Sequence, residues 1–155
     1  MLWIITYIIY GLSAEFFIYS LLIPALMILS IADEKTREIP PVINFFILTL
    51  GIIMTILRFD DLLDHILGFF AVSSFIFIII LITHGRGMGG GDMKLMAAAG
   101  LLLGWKEIIL AFFIGSVAGA VIHLLRMLIK KAGPELAFGP YLSFGIIVAM
   151  WFNFS

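Results

Sequence analysis

Uncharged apolar runs divide the chain into segments of about the length that a bilayer requires. A membrane-spanning α-helix takes ~20 apolar residues, with a range of about 17–25. Six segments fit or approach this length, namely residues 16–32, 39–57, 62–83, 92–105, 108–125 and 136–155. The pattern predicts an all-α, polytopic integral membrane protein with about six transmembrane helices, in a single domain over residues 1–155.

The first and fourth segments are the least regular of the six. The apolar stretch that begins at Met1 is interrupted at Glu15, which leaves open whether residues 1–32 cross once or form two shorter pieces. This stretch lacks the charged start and the small-residue cleavage site of a signal peptide. The fourth segment, counted from Asp92, has only 14 residues before Lys106. It spans roughly 21 Å at helical rise, so we expect a short helix that is buried or tilted.

The distribution of cations predicts the orientation in the membrane. Alternate connections hold seven Lys and Arg residues, and the other connections hold only two. The seven are Lys35, Arg37, Arg86, Lys94, Arg126, Lys130 and Lys131, and the two are Arg58 and Lys106. Because cytoplasmic loops carry the excess of Lys and Arg, the connections near Asp33 and Asp92 are predicted to be cytoplasmic. Both termini then lie outside if the first segment crosses once.

Composition excludes several classes of protein. With 63% hydrophobic and 12% charged residues, the chain is too apolar for a water-soluble fold of this size. The net charge of −1 gives no basic face for nucleic acid. The absence of cysteine excludes disulfides and Cys-ligated metals, and no histidine has a second ligand at suitable spacing. We therefore expect no metal and no cofactor, with structural roles for His65, His84 and His123.

Two aspartates are predicted to lie on the same side of the membrane. Asp33 ends the first crossing, and Asp92 begins the fourth after two intervening crossings. Two adjacent carboxyl groups tend to share one proton, because ionising both is costly. In an aspartic protease the ionised Asp takes a proton from the attacking water, while the protonated Asp polarises the carbonyl and later protonates the leaving nitrogen. The alternative is that each Asp is a solvated charge at a helix end.

A glycine-rich segment precedes Asp92. Residues 85–91 contain five glycines in seven positions, which predicts a non-helical segment that an extended substrate backbone can approach. A flexible cytoplasmic loop is the simpler alternative. The glycines at 85, 87 and 90 also fit the spacing of a dinucleotide-binding fingerprint, but that fingerprint requires a preceding strand in a βαβ unit.

Three motifs resemble those of the type IV prepilin peptidases, membrane aspartic proteases with a G-x-G-D motif. They are Asp33-x-x-x-Arg37-x-Ile39-Pro40, Gly89-x-Gly91-Asp92 followed by Lys94, and Phe138-Gly139-Pro140. The resemblance implies that Asp33 and Asp92 are catalytic. It also implies that Gly89, Gly91, Lys94, Arg37 and Pro40 support the substrate or the loop, although snorkelling is an alternative for Lys94 and a surface ion pair for Arg37.

The resemblance also implies an activity and a location. Members cleave the leader peptide of type IV prepilin-like precursors, so the expected partners are such a substrate and membrane lipid. The expected location is the bacterial plasma membrane, with the active site facing the cytoplasm. Larger members carry paired Cys-x-x-Cys motifs associated with methylation of the new N-terminus, which this cysteine-free chain lacks. The chain therefore resembles a short, peptidase-only form without N-methyltransferase activity.

Two residues depart from the motifs of this family. Pro41 stands where relatives often have Asn, and Ala137 replaces a Pro.

Two alternative functions remain open. A small cation- or proton-coupled transporter subunit is the alternative from another class, although acidic residues near mid-membrane and inverted repeats are absent. A presenilin-like protease shares G-x-G-D, but its Tyr-Asp pair and Pro-Ala-Leu segment are not found at the corresponding places.

Smaller features are interpreted structurally. The glycine pairs at 100 and 104 and at 115 and 119 have the spacing that lets membrane helices pack closely. Asp60, Asp61 and Asp64 are interpreted as a solvated outer loop.

Overall fold

The structure is a computed structural model that describes residues 1–85, 88–130 and 137–152. These residues form seven α-helices and no strand. The helices are α1 (Leu2–Tyr10), α2 (Ala14–Thr36), α3 (Pro41–Leu57), α4 (Leu62–Thr83), α5 (Gly90–Leu103), α6 (Trp105–Lys130) and α7 (Gly139–Ala149). The predicted all-α class is confirmed. Arg86, Gly87 and Lys131, which entered the predictions above, lie outside the described residues.

Within the described residues, three stretches are long and apolar enough to cross a membrane: Ala14–Thr36, Phe59–Thr83 and Trp105–Ile129. The helices α3 and α7 are shorter apolar helices. Large apolar side chains such as Ile82 and Phe113 point outward, which suits contact with lipid. The predicted polytopic membrane architecture is therefore confirmed, although α5 has only 14 residues and is not among the three long stretches.

The N-terminal stretch is divided into two helices. Gly11 has a positive φ of 61°, and Ser13 caps α2 by accepting a hydrogen bond from the Phe16 N–H (3.3 Å). Glu15 therefore lies in the first turn of α2 rather than in a loop. Because α1 has 9 residues, it extends only about 14 Å and is too short to cross a bilayer. Only α2 can then provide a crossing within residues 1–32.

The short helix α5 is the innermost element of the bundle. Leu95, Met96, Ala99 and Leu102 on this helix are completely buried, and α5 packs mainly against α3 and α4. The Gly100 backbone lies against that of Gly68 on α4, so a side chain at either position has no room. This contact agrees with the close packing predicted at Gly100.

Two further predicted packing glycines lie between α6 and α7. A Cβ atom at Gly115 would be 2.8 Å from the carbonyl oxygen of Tyr141, and one at Gly119 would be 3.0 Å from the Phe138 ring. Gly104 also packs closely, because a Cβ atom at Gly68 on α4 would be 2.7 Å from its carbonyl carbon. It ends α5 as well, with a φ of 106°.

A polar cluster lies at the ends of α3, α4 and α5 that are remote from Asp33. The Nε atom of Arg58 donates to Glu15 Oε1 (2.8 Å), and a cavity of about 110 Å³ is lined by Asp64, Glu107 and neighbouring residues. The interpretation of a solvated loop suits Asp60 and Asp61, which are exposed. It is wrong for Asp64, which is half-buried on α4 beside Gly104.

Candidate active site

Asp33 lies near the end of α2 and is only 5% exposed. Its Oδ2 atom accepts a hydrogen bond from the backbone N–H of Gly139, the first residue of α7, at 2.8 Å. The unpaired N–H groups and the positive dipole end of a helix start favour a carboxylate. The contact therefore holds Asp33 in one orientation.

Asp92 lies in the first turn of α5 and is 8% exposed. Its Oδ2 atom accepts a hydrogen bond from the Gly89 N–H at 3.1 Å, so Asp92 caps its own helix. Burial raises the pKa of this carboxyl to about 6, the Gly89 hydrogen bond opposes the rise, and the nearby negative charge of Asp33 adds to it. A carboxyl group with this pKa can carry a proton near neutral pH and also release it.

Both carboxyl groups line one cavity of about 290 Å³. The cavity is formed where the end of α2, the start of α3 and the start of α5 meet. Its lining residues are Asp33, Arg37, Glu38, Ile39, Pro41, Asn44, Gly89, Gly90, Gly91, Asp92 and Lys94. Two carboxyl groups that line one cavity are suited to general acid–base chemistry on a substrate that binds there.

The glycine segment differs from the sequence prediction. The prediction that residues 85–91 are non-helical is wrong for Gly90 and Gly91, which form the start of α5. A helix start at Gly90 is favoured because Asp92 satisfies the free N–H of Gly89. Before it, Gly85, Met88 and Gly89 are the described non-helical residues of this segment, and Gly85 has a positive φ of 77°.

Gly91 lies in tight contact with Ile39. A Cβ atom there would be 3.0 Å from the Cβ atom of Ile39, at the loop between α2 and α3. Gly91 does not have a positive φ, so this close approach explains the glycine, and conformational freedom does not.

The remaining predicted site residues occupy different positions. Arg37 ends α2 in the left-handed conformation (φ 56°) and lines the cavity, as does the exposed Lys94 on α5. Pro40 is not among the lining residues. Its carbonyl oxygen accepts hydrogen bonds from the N–H groups of Ile43 and Asn44 and so caps α3, while Pro41 forms the cavity wall.

Sequence reasoning assigned no role to Asn44, Ile39 or Gly139. Asn44 is buried, and its Nδ2 atom donates to the Gly91 carbonyl oxygen at 3.3 Å, which ties α3 to α5. The signal for Asn44 was its polarity in an otherwise apolar run. Gly139 was noticed only as part of a motif, and nothing local indicates that it reaches Asp33 across the fold.

The described residues contain no group of three or more His, Asp or Glu side chains that could hold a metal ion. His65, one of the three histidines, is buried and its Nδ1 atom lies 2.9 Å from the Leu101 carbonyl oxygen. This is a structural role, as expected from the sequence.

Comparison with known proteins identifies relatives over most of the chain. It is 36% identical over 145 residues to a prepilin leader peptidase/N-methyltransferase of Bacillus subtilis, covering 90% of this chain and 57% of that protein. It is 31% identical over 150 residues to the protein of that name from Pseudomonas putida, covering 92% and 52% respectively. It is 29% identical over 126 residues to the protein of that name from Escherichia coli, covering 77% of this chain and 56% of that protein.

The chain thus spans about half the length of the curated relatives it matches. No solved structure matches it. The model of the type IV leader peptidase family matches residues 20–124, a range that includes both Asp33 and Asp92. Since this match covers more than half of the sequence, the chain belongs to the type IV leader peptidase family.

Proposed function

We propose that this chain is a membrane aspartic endopeptidase that removes the leader peptide of type IV prepilin-like precursors. The observation that carries the proposal is the shared cavity, in which Asp33 and Asp92 come from different helices and each accepts a hydrogen bond from a glycine N–H. Family membership and the names of the relatives support the substrate class.

In the proposed reaction, Asp33 is ionised and Asp92 carries the shared proton. Asp33 takes a proton from a water molecule as its oxygen attacks the scissile carbonyl carbon, while the Asp92 O–H polarises the carbonyl oxygen. Asp92 then protonates the leaving nitrogen as the C–N bond breaks. The products are a new carboxyl group and a free amine, and the pair retains one proton, now on Asp33.

Neutralising either aspartate tests this mechanism. Asp33→Asn and Asp92→Asn should each lower cleavage of a prepilin-like precursor by about a thousandfold or more, and the double variant should be no worse, because the pair acts as a unit. Asp60→Asn is the matched control, since Asp60 is exposed and lies outside the cavity. Cleavage is measured by mass spectrometry on protein shown to be folded. Substantial activity in either single variant would exclude the aspartic mechanism.

We further propose that the active site faces the cytoplasm at the bacterial plasma membrane. The excess of Lys and Arg in alternate connections supports this orientation. The hydrogen bond from Gly139 to Asp33 and the shared cavity also bring the end of α2, the start of α5 and the start of α7 to one end of the bundle.

The proposed activity of residues 1–155 is proteolysis alone, without N-methylation and without a metal or cofactor. The absence of cysteine supports the lack of N-methylation. The lack of a metal-binding group among the described residues supports a reaction without a metal. Nothing in the structure or in the relatives supports the transporter alternative.

A further inference from the structure

An apolar trench runs along the outer side of α5. The helix α5 lies between α3 and α4, and most of its residues are buried. Its outward stripe is Gly90, Lys94, Ala97 and Leu101, which are exposed or half-buried at spacings of four, three and four. Because Gly90 and Ala97 on this stripe are small, the larger side chains of α3 and α4, such as Phe45 and Phe70, lie on either side of it.

Two adjoining cavities form the trench. One, of about 280 Å³, lies beside α3 and is lined by Pro41, Asn44, Phe45, Leu48, Phe69, Lys94, Ala97 and Ala98. The other, of about 540 Å³, lies beside α4 and is lined by Phe69, Phe70, Ser73, Ser74, Phe77, Ile78, Met93, Lys94 and Ala97. They share Phe69, Lys94 and Ala97, so the trench is continuous across α5.

The trench is also continuous with the candidate active site. The cavity that holds Asp33 and Asp92 shares Pro41, Asn44 and Lys94 with the trench. A peptide that binds across the two carboxyl groups therefore has an apolar path along the bundle on one side of the bond to be cut. Lys94 marks the mouth of this path, and it is the charged residue among those that line the two trench cavities.

We propose that the trench docks the apolar helical segment of the substrate that adjoins the scissile bond. A chain lying at this depth must satisfy its own backbone hydrogen bonds, which requires a helix. The small residues Ser73, Ser74 and Ala97 let such a helix approach closely, as they do between membrane helices. Aromatic side chains on both walls supply contact area.

The polar chemistry at the mouth favours a peptide over a lipid tail. Asn44 lines both the active-site cavity and the trench, and its Oδ1 atom is buried without a hydrogen-bond donor among the described residues. A peptide backbone arriving there brings N–H donors, whereas an acyl chain brings none. This inference rests on the proposed function and adds the place where the substrate is held.

Filling the trench tests the proposal. Ser74→Trp and Ala97→Trp place a large side chain in it, and Ala120→Trp on the outside of α6 is the control, because Ala120 is exposed and lines neither trench cavity. We expect the trench variants to lower kcat/KM for a precursor with its apolar segment by about tenfold or more, and the control to match the unsubstituted protein. A short peptide that ends soon after the cleavage site should be cut equally by all.

Each other outcome has a separate meaning. If the trench variants lose the same fraction of kcat/KM on the full precursor and on the short peptide, the substitutions have disturbed the active site, and the trench proposal is overturned. Wild-type rates in both trench variants would also overturn it and leave the protease intact. Failure of the unsubstituted protein to cut either substrate would overturn the proposed function itself.

Disulfide crosslinking gives a readout that needs neither cleavage nor a bulky substitution. The chain has no cysteine, so Ser74→Cys in an Asp92→Asn background is the sole thiol of the enzyme. Precursors with single cysteines along the apolar segment should crosslink at positions three to four residues apart, on one helix face. Ala120→Cys is the control. Crosslinking at Ser74→Cys no greater than at Ala120→Cys would mean that lipid or another partner occupies the trench, and would overturn the proposal.

Discussion

At the scale of single residues, the two carboxyl groups have similar burial but different neighbours. Asp33 accepts its hydrogen bond from a residue 106 positions away, whereas Asp92 accepts from the residue three positions before it. The hydrogen bond from α7 fixes the orientation of Asp33, whereas burial raises the pKa of Asp92.

The raised pKa of Asp92 predicts how activity depends on pH. Its value of about 6, against an ordinary 3.8, means that the folded enzyme holds the proton below about pH 6 and loses it above. Because Asp92 donates that proton in the proposed mechanism, we expect kcat/KM to fall as the pH rises through about 6. A profile measured from about pH 5 to about pH 8 checks this, and a flat profile would contradict it.

The raised pKa of Asp92 also makes the stability of the folded protein depend on pH. Since the folded state binds the proton more tightly than the unfolded chain, the contribution of Asp92 to stability falls as the pH rises from about 4 to about 6. Asp92→Asn should remove this decrease, so its thermal midpoint above pH 6 should equal or exceed that of the unsubstituted protein. We therefore expect Asp92→Asn to be inactive without being unstable.

Gly91 and Met88 provide a matched pair of substitutions in one segment. Gly91→Val should lower kcat/KM by ~100-fold, because its side chain would collide with Ile39 and displace the start of α5 and thus Asp92. Met88→Val should have a much smaller effect, since that position already holds a half-buried side chain. Equal tolerance at both positions in a cleavage assay would show that the glycine serves only as a flexible connection.

At the scale of helices, both carboxyl groups are held at helix starts. Asp92 caps α5, and Asp33 binds the first N–H of α7. Both helices begin beside the cavity or its carboxyl groups and are short, with 14 residues in α5 and 11 in α7.

A substitution at the start of α7 tests its role in positioning Asp33. A Cβ atom at Gly139 would lie 2.6 Å from Asp33 Oδ2, so Gly139→Ala should push the carboxyl group aside and lower kcat/KM by ~100-fold. Ser143→Ala is the control on the same helix, because the Ser143 hydroxyl is buried without a partner among the described residues. If Gly139→Ala remains as active as Ser143→Ala, then α7 does not position Asp33.

At the scale of the whole molecule, long apolar helices surround a short buried one. The stretches Ala14–Thr36, Phe59–Thr83 and Trp105–Ile129 are long enough to anchor the protein in a bilayer. Because these three stretches provide the anchoring, α5 can be short and can hold Asp92 at one end of the bundle. The active-site cavity thus depends on helices of unequal length in the same bundle.

The product that this chain releases is a prediction about the molecule as a whole. We expect the mature protein cut by residues 1–155 alone to carry a free α-amine, because the paired cysteine motifs that larger relatives associate with methylation are absent. Mass spectrometry of the product, after incubation with S-adenosylmethionine, provides the measurement. A gain of one methyl group would reveal a second activity in these residues.

The helices and the two aspartates followed from the sequence, because each depends on local properties of the chain. A bilayer requires long apolar helices, so uncharged runs predicted α2, α3, α4 and α6 closely, and the parity of crossings predicted that Asp33 and Asp92 share a side. The motifs around them resembled one family, and the family comparison agrees.

The partners of these residues were decided only by the tertiary structure. Gly139 donates a hydrogen bond to Asp33, Asn44 donates one to Gly91, and Asp64 lies beside Gly104. The two residues of each pair are 40 or more positions apart in the sequence. Such contacts depend on how helices pack, which no local pattern specifies. The helical start at Gly90 has one local and one tertiary cause. Glycine disfavours a helix, but the Asp92 side chain caps this one through the Gly89 N–H three positions earlier, whereas the tight contact of Gly91 with Ile39 comes from packing.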